Sequence, residues 1–244
     1  MRRALLVFVA LAAVAPAAPA AAATPKVYGQ VVGQAGTVFG STLVTPKAFT
    51  LRVSGRSCAI ADATPLAVLE ALRKVGGPAY VVRDFGSCSK RVADGGSLFV
   101  RGIGGQLAKG RDGWVYKVGR KGGSTGAADP SGPFGTGKRL KAGDKVLWFW
   151  CTQRSSGCQR TLEITPANTE LAATTTFTVA VRGYDDQGRG RAIAGAAVTL
   201  GGQTVSTDAK GRARLVSPSQ RGPYPITATA KGMADAFPAR VTVK

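Results

Sequence analysis

The sequence predicts an α+β domain, in which one helix crosses a small mixed sheet, followed by an all-β sandwich. One stretch near residue 65 combines helical apolar spacing with start and stop signals, and short strand-like runs flank it. After residue 174 only short strand-like runs separated by turn signals remain. With 244 residues, 44% of them hydrophobic and 19% charged, the chain can bury two cores.

The first residues are typical of a secretory leader. A positive start, Met1-Arg2-Arg3, precedes an apolar stretch over residues 4–14 and small residues over 17–23. The apolar stretch is shorter than the ~20 residues that a membrane-spanning helix needs. We therefore expect a signal peptide over residues 1–23, no membrane span after its cleavage, and a secreted or envelope-associated product.

The first domain is predicted over residues 24–165. Apolar stretches between residues 27 and 53 alternate with Gly and Thr-Pro breaks and indicate strands. Thr64 is the expected N-cap of the single helix, Pro65 its first residue, and Gly76-Gly77 its end. Further strands are predicted at 80–82, 98–101, 114–118, 146–151 and 161–165.

A long Gly-rich segment over residues 119–143 is either an ordered functional loop or a mobile one. Residues 166–173 are small and polar, and we expect them to form a linker. The second domain then covers residues 174–244. Its predicted strands are 177–181, 197–200, 204–206, 213–216, 226–230 and 240–243.

Four cysteines in an exported chain predict disulfides, with metal binding as the weaker alternative. Three pairings are open to four cysteines. Cys151 and Cys158 flank a short turn between two strand-like runs, which favours local pairing and leaves Cys58 for Cys88. We expect both bridges to be structural.

Three sequence motifs carry a resemblance in the first domain: TPLAVLEAL at 64–72, GWVYKV at 113–118 and LKAGDKVLW at 140–148. Over residues 45–152 they resemble a bacterial domain family of unknown function that is related to the C-terminal domain of transcobalamin and intrinsic factor. The resemblance implies a β-grasp-like fold. In the related cobalamin carriers this domain covers one side of the ligand, which implies a small-molecule site.

The second domain carries a resemblance of its own. The stretches GAAVTL at 195–200, TDAKGRA at 207–213 and YPITATAKG at 224–232 resemble bacterial Ig-like or carboxypeptidase-regulatory-like modules. Such modules are non-catalytic spacers or binders in exported proteins. The resemblance therefore implies a binding or scaffold role.

The chain is strongly basic, with a formal charge of +20 that falls to +18 without Arg2 and Arg3. Anionic envelope polymers, acidic lipid surfaces and nucleic acid all attract such a protein, and we interpret this attraction as non-specific contact that follows from the composition. The basic residues stand singly or in pairs, which predicts no specific nucleic-acid recognition.

The chain contains no histidine, which excludes Ser-His-Asp and Cys-His catalysis and removes the usual zinc ligand. We therefore predict a non-enzymatic protein without a cofactor or a metal. A hydrolase of envelope polymers that works with two carboxylates is the alternative. Its candidate acids, Asp112, Asp129 and Asp144, lie near loops, where isolated acids usually serve turns.

Aromatic residues mark the candidate ligand face. Strand alternation puts Trp148 and Trp150 on one face of the 146–151 strand, while its other face is equally apolar and also needs a cover. Trp114 and Tyr116 share a face opposite Lys117, as in a strand with one wet face. The four aromatics form either the domain core or a groove for a small hydrophobic, planar, cobalamin-like ligand.

These observations favour an exported, non-enzymatic envelope or extracellular binding or scaffold protein. A small-molecule binding protein and an envelope-polymer hydrolase are the two alternatives. The expected partners are anionic cell-envelope polymers or a small hydrophobic ligand.

Overall fold

The computed structural model describes residues 23–86 and 88–244. The predicted leader lies outside these ranges except for Ala23. Within them the chain forms one α-helix and many short strands, which belong to two packed domains. No helix among these residues is long and apolar enough to cross a membrane.

The first domain contains ten strands, one α-helix and a 3₁₀ helix at Val92–Ser97. In chain order its elements are β1 (Val27–Gly33), β2 (Gly36–Val44), β3 (Phe49–Val53), β4 (Arg56–Ile60), α1 (Pro65–Lys74), β5 (Tyr80–Asp84), β6 (Leu98–Ile103), β7 (Gln106–Leu107), β8 (Gly113–Val118), β9 (Lys121–Gly122) and β10 (Lys145–Cys151). The predicted single helix is confirmed.

Helix α1 begins and ends where the sequence places its signals. The Thr64 Oγ1 accepts a hydrogen bond from the Ala67 backbone N–H, and Pro65 opens the helix. Gly76, with a φ of +94°, turns the chain away after the last helical residue.

The helix packs on a five-stranded mixed sheet of order β2-β1-β10-β8-β9, in which β1 and β10 are parallel. Gly29 on β1 allows this close packing, because a Cβ there would lie 2.8 Å from both Leu72 Cδ1 and Val68 Cγ1. The Trp148 Nε1 donates to the Pro65 carbonyl at 3.1 Å. Smaller sheets, β3-β4 and β5-β6-β7, complete the domain.

The Gly-rich segment 119–143 is fixed against the start of the helix. The Leu66 N–H donates to the Ala127 carbonyl at 2.8 Å, and the Leu140 N–H donates to the Ala63 carbonyl at 3.0 Å. Ala127 and Ala128 are buried in the core. Of the two alternatives for this segment, the contacts support an ordered wall of the domain.

Both predicted disulfides are confirmed. One joins Cys58 on β4 to Cys88, which follows β5, across a separation of 30 residues. The other joins Cys151 at the end of β10 to Cys158 and closes a separation of seven residues. Such bridges are typical of proteins that fold in an oxidising compartment.

The second domain is a sandwich of two β-sheets. Its strands are β11 (Thr161–Pro166), β12 (Glu170–Leu171), β13 (Thr176–Tyr184), β14 (Gly190–Ala192), β15 (Ala197–Leu200), β16 (Gln203–Ser206), β17 (Arg212–Val216), β18 (Gly222–Thr229) and β19 (Ala239–Val243). In one sheet β13 pairs with β11, β14 and β17, and the other sheet has the order β12-β19-β18-β15-β16. Alternate residues of both sheets, such as Val179, Val198 and Ile226, form the core.

The predicted domain boundary is wrong by one strand. Strand β11, which the sequence analysis assigns to the first domain, pairs along its length with β13, and its Leu162 and Ile164 lie in the core of the second domain. The expected linker over residues 166–173 also contributes β12, which pairs with β19. The boundary therefore lies near residue 160, because β11 buries its apolar residues against the sandwich.

Candidate functional site

The structure brings Trp114, Tyr116, Trp148 and Trp150 together on the helix-covered face of the main sheet. Trp114 meets Trp150 edge-on with ring centroids 5.9 Å apart, and Tyr116 lies 5.5 Å from Trp148. All four side chains are buried. They form a layer of the first domain's core.

The polar atoms of these aromatics bind the protein itself. The Trp114 Nε1 donates to the Gln106 carbonyl at 2.7 Å, and the Tyr116 hydroxyl donates to the Thr125 carbonyl at 2.9 Å. Burial raises the pKa of Tyr116. The structure therefore supports the core interpretation of this cluster.

A small apolar groove remains beside the aromatic layer. It has a volume of about 190 Å³ and lies between β6, β8 and the Gly-rich segment. Phe99 lines one side, edges of Trp114 and Tyr116 form the floor, and Gly126 lies on the other side. This groove is the part of the predicted ligand face that remains open.

The second face of β10 is covered by the second domain. Leu147, Phe149 and Cys151 pack with Val32 and with Ala234 of the sandwich. A buried hydrogen bond from the Gln30 Nε2 to the Ala236 carbonyl, 3.1 Å long, lies at the same junction. The second domain therefore covers the second apolar face of β10.

The prediction of a wet face for Lys117 is wrong, because the second domain covers it. The side chain is fully buried, and its Nζ donates to the Tyr184 carbonyl at 2.9 Å. It lies 3.3 Å from the Asp186 Oδ1 and 5.6 Å from the centre of the Phe149 ring. Burial lowers the pKa of Lys117, and the Asp186 carboxylate opposes that shift.

An arginine-lined cavity opens at the rim of this junction. We call it the arginine cleft and define it by four guanidinium groups that line a volume of about 260 Å³. They come from Arg154 in the disulfide-closed turn, Arg160 at the domain boundary, Arg189 in the β13–β14 hairpin and Arg191 on β14.

Backbone and carboxylate contacts hold two of these arginines in place. The Arg160 Nη1 donates to the Gly183 and Arg189 carbonyls at 2.9 and 2.6 Å. Asp185 pairs with Arg189 at 3.0 Å and with Arg160 at 3.6 Å. Partial burial raises the pKa of Asp185, but hydrogen bonds from Arg189 outweigh it and the net pKa is lowered.

The other two arginines lack a carboxylate partner. No Asp or Glu oxygen among residues 23–86 and 88–244 lies within 4.0 Å of the Arg154 or Arg191 guanidinium. The cleft thus holds four positive groups against the single carboxylate of Asp185. It has the charge and the donors to bind an anion.

A larger cleft of about 420 Å³ continues from it along the domain junction. The two share Arg154, Gln159, Gly232 and Met233. Farther along, Thr152 and Gln34 add polar groups, and Asp112 lies in this part. We call the larger cleft the adjoining channel, because it meets the arginine cleft at these shared residues.

The three acids of the hydrolase alternative all accept backbone hydrogen bonds. Asp112 accepts from the Gln153 N–H, Asp129 from the Ser131 N–H and Asp144 from the Lys141 N–H, at 2.8, 2.8 and 2.9 Å. Asp112 lies in the junction cleft, whereas Asp144 lines a separate groove beside the Gly-rich segment. The contacts of Asp129 and Asp144 are those of turn residues, whereas Asp112 fixes the start of the distant disulfide-closed turn.

Comparison with known proteins leaves the family open. No family model matches the chain, and no curated protein matches it. Among solved structures the chain is similar to the D00-D0 domain of Intimin, at 14% sequence identity over 72% of this chain and 81% of that one. The TM-score is 0.28, too low to support any statement about function. Both family resemblances therefore stay predictions.

Proposed function

We propose that the protein is an exported, non-enzymatic binding or scaffold protein whose partner is an anionic polymer of the cell envelope. The arginine cleft carries the proposal, because it concentrates Arg154 and Arg191, two guanidinium groups without a carboxylate partner among the described residues, at the domain junction. The basic excess of the whole chain supports it.

The same proposal includes a β-grasp-like first domain and an Ig-like second domain. The sheet order β2-β1-β10-β8-β9, with a parallel central pair and a helix across one face, supports the first. The two packed sheets of the second domain support the other. The turn contacts of Asp129 and Asp144, and the hydrogen bond by which Asp112 holds the Gln153 backbone, favour a non-enzymatic role.

Retention on isolated envelope fractions tests the binding role. The purified oxidised protein is passed over cell-wall, polysaccharide and lipid fractions at increasing salt. We expect one anionic fraction to retain it at salt that screens isolated surface charges, because several guanidinium groups in one cleft add charge-assisted hydrogen bonds to the screened attraction. Release from every fraction at the same moderate salt would contradict the proposal.

The apolar groove beside Phe99 favours a second candidate function, the binding of a small planar hydrophobic ligand. Its lining includes Trp114 and Trp148, so a bound ligand is expected to change tryptophan fluorescence. The Phe99→Ala variant should weaken that response, whereas Val92→Ala, a similarly exposed residue outside the groove, should not. No fluorescence change across a panel of planar apolar probes would eliminate this candidate.

A further inference from the structure

We propose that the arginine cleft is a subsite for phosphate groups, and that its ligand is a phosphodiester-linked envelope polymer. This inference rests on the proposed function and names the chemistry and the place of binding. The cleft was not evident in the sequence, because its four arginines come from three separate segments between residues 154 and 191.

The geometry of the donors favours phosphate. A guanidinium group presents a planar fork of N–H donors that matches phosphate oxygens in pairs. A phosphate is tetrahedral, so arginines on different walls of one cavity can bind different oxygens of the same group. A planar carboxylate offers only two oxygens in one plane and would leave donors of this cleft unused.

The cleft is arranged before any ligand arrives. Two backbone carbonyls fix Arg160, and Asp185 orients Arg189, so these side chains lose little freedom on binding. The disulfide between Cys151 and Cys158 closes the turn that carries Arg154. Arg154 and Arg191 remain available to an anion.

The adjoining channel favours a polymer over an isolated ion. It shares Arg154 with the arginine cleft and is lined farther on by Gln34 and Thr152. The Gln34 amide and the Thr152 hydroxyl suit the hydroxyl groups of sugar or polyol units between phosphates. Asp112 makes this part less cationic, so the strongest anion contact lies at the arginines.

Calorimetric titration with inorganic polyphosphate tests the inference in the full-length oxidised protein. The double variant R154Q/R191Q removes the two unpaired guanidinium groups. The control R52Q/R221Q removes the same charge from two exposed arginines outside the cleft, one in each domain. Neither pair forms an ion pair in the described residues, so the unfolding midpoints of both variants should match the wild type.

We expect the cleft variant to bind polyphosphate at least about tenfold more weakly, since each lost charge-assisted contact is worth about a tenfold change in Kd. The control should change the Kd by less than about twofold. Equal weakening in both variants would overturn the cleft assignment while leaving a charge-driven binding role intact.

Further titrations distinguish a phosphate polymer from a carboxylate polymer and from a phospholipid surface. Equally tight, cleft-dependent binding of polygalacturonate would overturn the preference for phosphate over carboxylate. Cleft-dependent binding of phosphatidylglycerol vesicles without binding of polyphosphate would overturn the polymer assignment. If no envelope fraction retains the protein at all, the proposed function fails, which is a result distinct from the others.

Discussion

Removing the disulfide between Cys58 and Cys88, by Cys58→Ala with Cys88→Ala, is expected to lower the free energy of unfolding by about 3 to 4 kcal/mol. The bridge spans 30 residues and joins β4 to the segment after β5, so it constrains a long stretch of the unfolded chain. Urea unfolding of both proteins, with the midpoint and slope compared, measures the loss.

The second disulfide provides a matched control with a different functional result. It spans only seven residues, and removing it through Cys151→Ala with Cys158→Ala should cost about 2.5 kcal/mol. This variant frees the turn that carries Arg154, so it should also weaken polyphosphate binding, whereas the Cys58 and Cys88 variant should bind as the wild type does. Unchanged binding in the Cys151 and Cys158 variant, or equal weakening in both variants, would contradict the role given to the disulfide-closed turn.

Replacing Asp186 with asparagine is expected to destabilise the protein by about 3 kcal/mol, because it leaves a buried ammonium group without its carboxylate. The Lys117 Nζ is fully buried and lies 3.3 Å from the Asp186 Oδ1. The Lys117→Met variant should lose clearly less free energy of unfolding than the Asp186→Asn variant. Asp186 keeps 26% of its side chain exposed and still accepts from the Cys158 N–H at 3.0 Å. Thermal unfolding of the two single variants measures the difference, and equal losses would contradict it.

The lowered pKa of Lys117 adds a pH dependence with a definite sign. The ordinary value is 10.5, and the folded value lies below it, so above the folded pKa the unfolded state holds this proton more strongly. The wild type should therefore gain stability relative to Lys117→Met as the pH rises toward 10.5. The charged groups that act on Lys117 are Asp186, Asp185 and Arg160. A relative loss of stability would contradict this sign.

Local signals in the sequence predict the local structure well. Thr64, Pro65 and Gly76 define the helix through capping and backbone preferences that act within a few residues. The short spacing of Cys151 and Cys158 is a local signal too, and it fixes the other pair by elimination. These features depend little on the rest of the fold.

The sequence predictions are wrong where contacts between distant segments decide which domain a strand joins or whether a side chain is buried. The strand at Thr161–Pro166 has the same apolar alternation in either domain, and only its pairing with β13 assigns it to the second. Lys117 alternates with Tyr116 as a surface residue would, and only the packing of the sandwich on β10 buries it. Neither contact leaves a periodic signal in the sequence.

The arginine cleft is the clearest case of a site that only the tertiary structure reveals. Arg154, Arg160, Arg189 and Arg191 show no common spacing, and a disulfide, a domain boundary and a hairpin bring them together. The overall basic charge was the only hint in the sequence, and it does not locate a site.

The most direct test of the account is an NMR titration of isotope-labelled protein with inorganic polyphosphate at about 150 mM salt, where long-range attraction is screened. If polyphosphate binds in the arginine cleft, the Nε–Hε signals of the four cleft arginines and the backbone amide signals of residues 152–160 should shift and reach saturation. Shifts spread evenly over the basic surface, or confined to the groove beside Lys138 and Lys141, would contradict it.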